Sequence, residues 1–264
     1  METIHVEGRR ITYERQGEGP PVVLLHGYVG DRRTWQRQID DLSDEFTVVA
    51  WDAPGFGGSF DPPEIFRLSD FADCLAAFID ALNLGQPHIV GLSFGGGLAL
   101  ALYERHPAIP ASLVLASAYA GWAGSLPPDV VEQRLQQALR LAECPPEQLV
   151  DELMPTLLPE SAPKELVDEF ATAMYDFRPA GLRAASTAFA DADLRDVLPR
   201  IAVPTLLLYG DRDVRAPLHV AEELRSKIPG SKLVVMERVG HVCNVEAAEM
   251  FNAELRTFLR SVQG

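Results

Sequence analysis

The serine at position 93 sits in Gly91-Leu92-Ser93-Phe94-Gly95, after the apolar run Ile89-Val90 and before Gly96-Gly97-Leu98-Ala99-Leu100. A serine hydroxyl is a nucleophile only where a base can take its proton. Gly-x-Ser-x-Gly between a strand and a helix is a sharp turn that exposes such a hydroxyl. The spacing has a steric cause: a strained backbone at Ser93 brings the residues two before and two after close together, so neither can carry a side chain. Gly96 and Gly97 extend the glycine run at a cost of roughly 1 kcal/mol per residue against alanine. That reads as a helix packed hard against its strand, with the serine oxygen at a helix N-terminus whose dipole favours a developing anion.

A base and an acid must then come from elsewhere in the chain. Of the six histidines, His241 follows Gly240 just beyond the last apolar run. His5 and His88 fall in or beside strands, His106 closes a helix, and His219 lies on a surface helix. His26 belongs to the glycine-rich turn His26-Gly27-Tyr28-Val29-Gly30. The turn Gly210-Asp211-Arg212-Asp213 offers two carboxylates.

The elements that position these groups follow from periodicity. Residues 3–16 alternate around Gly8 and read as a hairpin at a sheet edge. The runs at 22–25, 47–51, 112–117 and 205–209 are continuously apolar or nearly so, as in strands buried on both faces, and 233–236 gives the last strand. Leu68, Phe71, Ala72, Leu75, Phe78, Ile79 and Leu82 recur at steps of three and four, an amphipathic helix. Further helices are expected over 35–42, 216–228 and the C-terminal stretch carrying Phe251, Leu255, Phe258 and Leu259. Strands alternating with helices imply an α/β fold with a doubly wound, mostly parallel sheet of eight strands. Between about 121 and 193 the strands stop, and helical periodicity is punctuated by prolines such as Pro128, Pro146, Pro163 and Pro179. This reads as a helical cap (121–193) inserted into a core made of 1–120 and 194–264. Ser93, Asp213 and His241 then fall at the C-terminal ends of three different strands.

Composition narrows the class. The chain has 264 residues, 47% hydrophobic and 23% charged, which suits one large domain with a substantial core. A net charge of −15 disfavours nucleic acid and anionic membrane as partners. Three cysteines without metal-ligand spacing read as reduced thiols, and Met1-Glu2-Thr3-Ile4-His5 opens with no secretory pattern, so a cytoplasmic location is expected. No metal and no cofactor are expected. Both a monomer and a homo-oligomer remain open.

With His26-Gly27, Asp52-Ala53-Pro54-Gly55-Phe56-Gly57-Gly58-Ser59, the elbow at Ser93, Gly210-Asp211-Arg212-Asp213 and Gly240-His241 in this order, the chain resembles the α/β-hydrolase family over essentially its whole length. Within it the chain looks most like the cytosolic enol-lactonase, esterase and carbon–carbon hydrolase group. The resemblance implies Ser93 as nucleophile, His241 as base and Asp213, rather than Asp211, as the acid. It assigns the oxyanion hole to the backbone N–H groups of Tyr28 and Phe94, with His26 and Asp52 bracing loops. It implies a cofactor-independent serine hydrolase that cleaves a small-molecule carboxylic ester or lactone through an acyl-enzyme. A carbon–carbon (β-diketone) hydrolase on the same triad is the alternative, and a slow-turnover ligand receptor is the alternative of another class. Tyr119 and Trp122 are candidates for the substrate pocket, though ordinary core packing accounts for them equally. The same holds for Arg134, Arg140, Arg178 and Arg183, each able to meet a substrate carboxylate or simply to face solvent.

Overall fold

The structure is a computed structural model that describes residues 1–262. The strands are β1 (Glu2–Val6), β2 (Arg9–Gln16), β3 (Pro21–Leu25), β4 (Thr47–Trp51), β5 (His88–Leu92), β6 (Ser112–Ala116), β7 (Thr205–Gly210) and β8 (Lys232–Met236). The α-helices are α1 (Gln36–Leu42), α2 (Leu68–Ala81), α3 (Phe94–Arg105), α4 (Pro128–Leu141), α5 (Pro146–Leu157), α6 (Lys164–Tyr175) and α7 (Pro179–Ala190), then α8 (Leu218–Lys227), α9 (Cys243–Glu246) and α10 (Ala248–Val262).

Among the described residues one eight-stranded sheet runs in the order β1-β2-β4-β3-β5-β6-β7-β8. Strands β3 to β8 are parallel, whereas β2 pairs antiparallel with both β1 and β4. The hairpin turns through Glu7 and Gly8, both at positive φ (50° and 79°), the backbone that a two-residue connection with the correct twist requires. Strands β4, β5, β6 and β7 are buried along their full length, which is why each is apolar or nearly so rather than alternating. Strand β8 closes the far edge and is only partly covered. From β3 the chain moves to β4 on one side, returns through α2 to β5 on the other side of β3, and then moves on from β5 to β6 in the opposite direction. The crevice beyond the strand ends at such a switch point is where ligands bind in open α/β sheets.

The helix expected from about Trp35 to Leu42 is present and is preceded by a further helical turn. Asp31 accepts from the Arg33 amide and caps this 3₁₀ turn over Arg32–Trp35, and the α-helix begins at Gln36. Between β6 and β7 the described chain forms the four helices α4 to α7. The prolines that break the strand rhythm start these helices: Pro128, Pro146 and Pro179 hold first-turn positions, where a missing N–H costs nothing, and Pro163 precedes α6. The two ends of this insertion are pinned to each other. Trp122 N–H donates to Phe189 O (2.9 Å), Gly124 N–H to Ala192 O (3.2 Å) and Leu194 N–H to Ala120 O (2.9 Å).

Backbone meets backbone closely at the turn after β5. A Cβ built on Gly91 would stand 2.2 Å from Gly95 O, and one on Gly95 would stand 2.1 Å from Leu25 O. Both obstacles are backbone atoms of paired elements, which cannot swing aside. Gly91→Ala is therefore expected to lower the unfolding free energy by about 1–3 kcal/mol or more, as overpacking does. Gly85→Ala, where nothing lies within 4 Å and only the positive φ of 63° is violated, should cost roughly 1 kcal/mol. Urea unfolding of the two variants checks the ranking, and equal midpoints would contradict it.

Candidate active site

Ser93 has φ 53° and ψ −109°, outside the regions that non-glycine residues favour. The surrounding backbone holds it there: Ser93 N–H donates to Ala116 O of β6 (2.8 Å), and Ser93 O accepts from Gly96 and Gly97 N–H of α3 (3.0 and 3.1 Å). The hydroxyl is thereby placed at the N-terminus of α3, against the loop that follows β3.

His241 reaches this hydroxyl from the turn after β8. Its Nε2 lies 3.0 Å from Ser93 Oγ, and its Nδ1 lies 2.8 and 3.0 Å from the two carboxylate oxygens of Asp213. Because Asp213 can only accept there, Nδ1 carries the proton and Nε2 is left as the acceptor for the serine O–H. All three side chains are buried. Asp213 Oδ1 also accepts from the backbone N–H of Arg215 (2.9 Å) and Ala216 (2.8 Å). Burial alone would raise the Asp213 carboxyl. The His241 imidazole and the Ala216 amide outweigh it and hold the group below the usual 3.8, as a carboxylate. Its neighbour Asp211 is exposed and accepts from the Arg238 N–H (2.6 Å), fixing the loop rather than touching His241.

The loop after β3 faces Ser93 from the other side. A Cβ built on Gly27 would lie 3.9 Å from Ser93 Cβ, so this loop runs directly beside the serine. Among the described residues the N–H groups of Tyr28 and Phe94 donate to no other protein group. His26 fixes the loop: its Nε2 accepts from Ala53 N–H (3.0 Å), so its Nδ1 donates to Gly27 O (2.7 Å). Burial lowers its pKa and keeps this neutral tautomer. Asp52 accepts from Arg32 N–H (2.9 Å), Gly58 N–H (2.9 Å) and the Arg32 guanidinium (2.7 Å), and so braces its own loop.

Ser93 and His241 open onto a narrow, almost wholly apolar cavity of about 20 Å³. Its walls are Tyr28, Val29, Leu92 and Val242 from the core, with Leu157 and Phe170 from the insertion. Tyr119 and Trp122 are not among these walls, although the Trp122 ring stands 6.2 Å from that of Tyr28. Gly97 has no side chain, and the Phe189 ring of α7 occupies that space; Tyr119, Trp122 and Phe94 pack their rings around it at 6.0, 5.8 and 5.6 Å. The arginines of the insertion are mostly occupied as well. Arg140 pairs with Glu152 (2.5 Å), and Arg178 bonds Gly57 O, Ser59 O and Asp61. Arg134 donates to Tyr119 Oη (3.0 Å) and Arg215 O (2.9 Å), while Arg183 is exposed.

Arg215 itself escaped sequence reasoning. It is buried, donating to Tyr28 Oη (2.9 Å) and Thr156 Oγ1 (3.1 Å), with its guanidinium 5.4 Å from the centre of the Tyr28 ring. It thus links the acid loop, the loop beside Ser93 and helix α5. An arginine two residues after an aspartate in an otherwise exposed turn gives only a faint signal of this. Nothing in the sequence singles out Leu157 and Phe170 from the other apolar residues of these helices, or points to Val242, because an apolar residue looks the same facing a cavity or a core.

A chain with this sheet, elbow and hydrogen-bonded line belongs to the alpha/beta hydrolase fold family, whose model matches residues 20–248. More particular likenesses come from single proteins. The structure is similar to a thermophilic esterase from Thermogutta terrifontis, with TM-score 0.92 and 30% identity, covering 100% of this chain and 99% of that one. The enol-lactonase from Burkholderia xenovorans LB400 superposes with TM-score 0.90 and 25% identity, covering 98% of this chain and 100% of that one. In sequence the chain is 32% identical over 263 residues to a pimeloyl-[acyl-carrier protein] methyl ester esterase of Neisseria meningitidis serogroup C, over 91% of this chain and 94% of the relative. Homologues of this kind make the chain a hydrolase. No helix among the described residues is long and apolar enough to cross a membrane.

Two consequences of this geometry are measurable. A carboxyl whose folded pKa is depressed adds stability above its unfolded value and loses it as pH falls through the folded value. Below about pH 3.8 the wild type should therefore lose a stability component that Asp213→Asn lacks. Unfolding free energies of both proteins from pH 6 to 2.5 check this, and parallel curves would contradict it. The second concerns the bond from Arg215 to Tyr28 Oη. Arg215→Met and Tyr28→Phe should be non-additive by about 1 kcal/mol in urea unfolding, whereas additivity would mean that the bond contributes nothing.

Proposed function

We propose that this hydrolase is a serine enzyme that cleaves a carboxylic ester or lactone through an acyl-enzyme. The observation that carries the reading is the unbroken line from Asp213 through His241 to Ser93 Oγ, ending beside two amides without a protein acceptor. Ser93 Oγ attacks the carbonyl carbon while His241 Nε2 takes its proton. Asp213 holds the tautomer that makes this possible and stabilises the imidazolium that results. The oxygen of the tetrahedral intermediate is received by the N–H groups of Tyr28 and Phe94, helped by the dipole of α3. His241 then gives its proton to the leaving oxygen, and a water repeats the sequence on the acyl-enzyme, regenerating Ser93 and releasing the acid. In a lactone the leaving oxygen stays attached to the acyl chain, so one product results.

The likenesses to an esterase, an enol-lactonase and a methyl ester esterase support an ester or lactone as the substrate. The insertion, 121–193, acts in this reading as a lid. Leu157 O accepts from the His241 N–H (3.1 Å), so α5 roofs the base directly, and a closed apolar cavity strengthens every electrostatic interaction inside it.

The test is turnover of a chromogenic short-chain ester by purified protein. Ser93→Ala and His241→Ala should each lower kcat by about four orders of magnitude or more, with unfolding midpoints close to wild type. Asp213→Ala should be comparably damaging and Asp211→Ala mild. A fluorophosphonate should phosphonylate Ser93 Oγ in wild type with loss of fluoride, adding the reagent's mass less HF, and leave His241→Ala unlabelled. Wild-type turnover by Ser93→Ala would overturn the mechanism, and a reversed order of the two aspartates would overturn the assignment of the acid.

A further inference from the structure

The cavity at Ser93 is too small for most esters, holding little more than one water-sized group. A second pocket of about 230 Å³ lies beside it on the surface, between α6 and the turn over Arg32–Trp35. Thr34 and Phe170 line both spaces, so they form the partition between them. The two sides of the partition differ. Thr34 is locked: its Oγ1 donates to Asp31 O (2.8 Å), and its carbonyl accepts from the buried Asn244 amide (2.9 Å). Phe170 has no hydrogen bond to fix it: the ring is buried and held by apolar packing alone, and an aromatic ring can turn about χ1.

We propose that the outer pocket is the second half of the substrate site, taking an uncharged apolar arm of the substrate, and that Phe170 sets how long that arm can be. The proposal rests on the ester or lactone reading above. Phe170, Ala173 and Val245 supply the apolar floor. The rim carries Arg33, Arg37 and Glu169, but these charges are already spent on one another and their neighbours: Arg37 pairs with Glu169 (2.6 Å), and Arg33 with Asp31 (2.7 Å) and Asp176 (2.8 Å). A carboxylate arm would have to displace one of these partners, whereas an alkyl or aryl arm displaces only water. The Arg37–Glu169 and Arg33–Asp176 pairs also tie α6 to the core across the mouth. Both are exposed, so each holds α6 only weakly and is screened by salt. Helix α6 is also packed on the core through Leu166, Phe170, Ala171 and Met174, so room for a longer arm comes from the Phe170 ring turning aside rather than from the helix leaving the core.

The experiment compares kcat/KM along two series, p-nitrophenyl esters with acyl chains from C2 to C12 and acetate esters with alcohol chains of the same range. Wild type, Phe170→Ala, which opens the partition, and Ala173→Phe, which fills the outer pocket, are measured together with their unfolding midpoints. Phe170→Ala should raise the ratio of the C8 rate to the C2 rate by about tenfold or more in one series, and Ala173→Phe should lower it by a similar factor in the same series. The series that responds identifies the arm as acyl or alcohol. Should Phe170→Ala fail to fold, Ala173→Phe carries the test alone. Profiles that superimpose after one scaling factor in both series overturn the proposal and leave the serine mechanism standing. Absence of ester turnover together with absence of fluorophosphonate labelling at Ser93 overturns the serine reading itself, so the two failures are told apart.

Discussion

The structure depends on one strained residue. At φ 53° and ψ −109°, Ser93 occupies a conformation that costs of order 1–3 kcal/mol, and the cost is met by everything packed around it. The backbone at Gly91 closes onto Gly95, and Gly95 onto Leu25 O, at distances that admit no Cβ. These contacts draw β5, α3 and the end of β3 together. The Ser93 hydroxyl, the Phe94 amide and the loop carrying Tyr28 therefore converge as a consequence of backbone packing, before any side chain is chosen. The glycine run has a further effect at Gly97, where the missing side chain lets Phe189 seat the insertion on the core.

Electrostatics joins the elements that the elbow brings near. Asp213 comes from the turn after β7 and His241 from the turn after β8, and each is buried with its hydrogen-bonding capacity directed at the other. Arg215, from the same turn as the acid, reaches across to Tyr28 and to Thr156 of α5. One buried guanidinium thus couples the acid loop, the loop beside the serine and the roof. A displacement of any one of these loops disturbs the bonds of the other two, so the site behaves as a single unit rather than as three independent loops.

The helices between β6 and β7 contribute no side chain to the hydrogen-bonded line, but Leu157 and Phe170 among them line the cavity beside Ser93. The ends of this segment are pinned by backbone bonds near residues 120–124 and 189–194, and α7 is packed firmly through Phe189. Helix α6 packs on the core through Leu166, Phe170, Ala171 and Met174, with exposed ion pairs at its edge beside Phe170.

Sequence by itself determined the strands, because two-sided burial in a parallel sheet forces continuous apolar runs such as Val22-Val23-Leu24-Leu25. It also determined the turn at Ser93, because only glycine fits beside that backbone, and it marked the insertion, because prolines start its helices. Ser93, Asp213 and His241 were legible as candidates for the same reason: each follows a strand whose end is set by the hydrophobic pattern. Tertiary structure buries Asp213 against His241 and leaves Asp211 exposed, a choice that the residues of the turn leave open and that only the family resemblance favoured, since the two aspartates stand two residues apart. It alone decided that Tyr119 and Trp122 pack around Phe189 while Leu157 and Phe170 line the cavity. Burial makes the same demand on an apolar residue whether it faces a core or a substrate, so the sequence carries no mark of the difference; the answer lies in which helix lands over the serine.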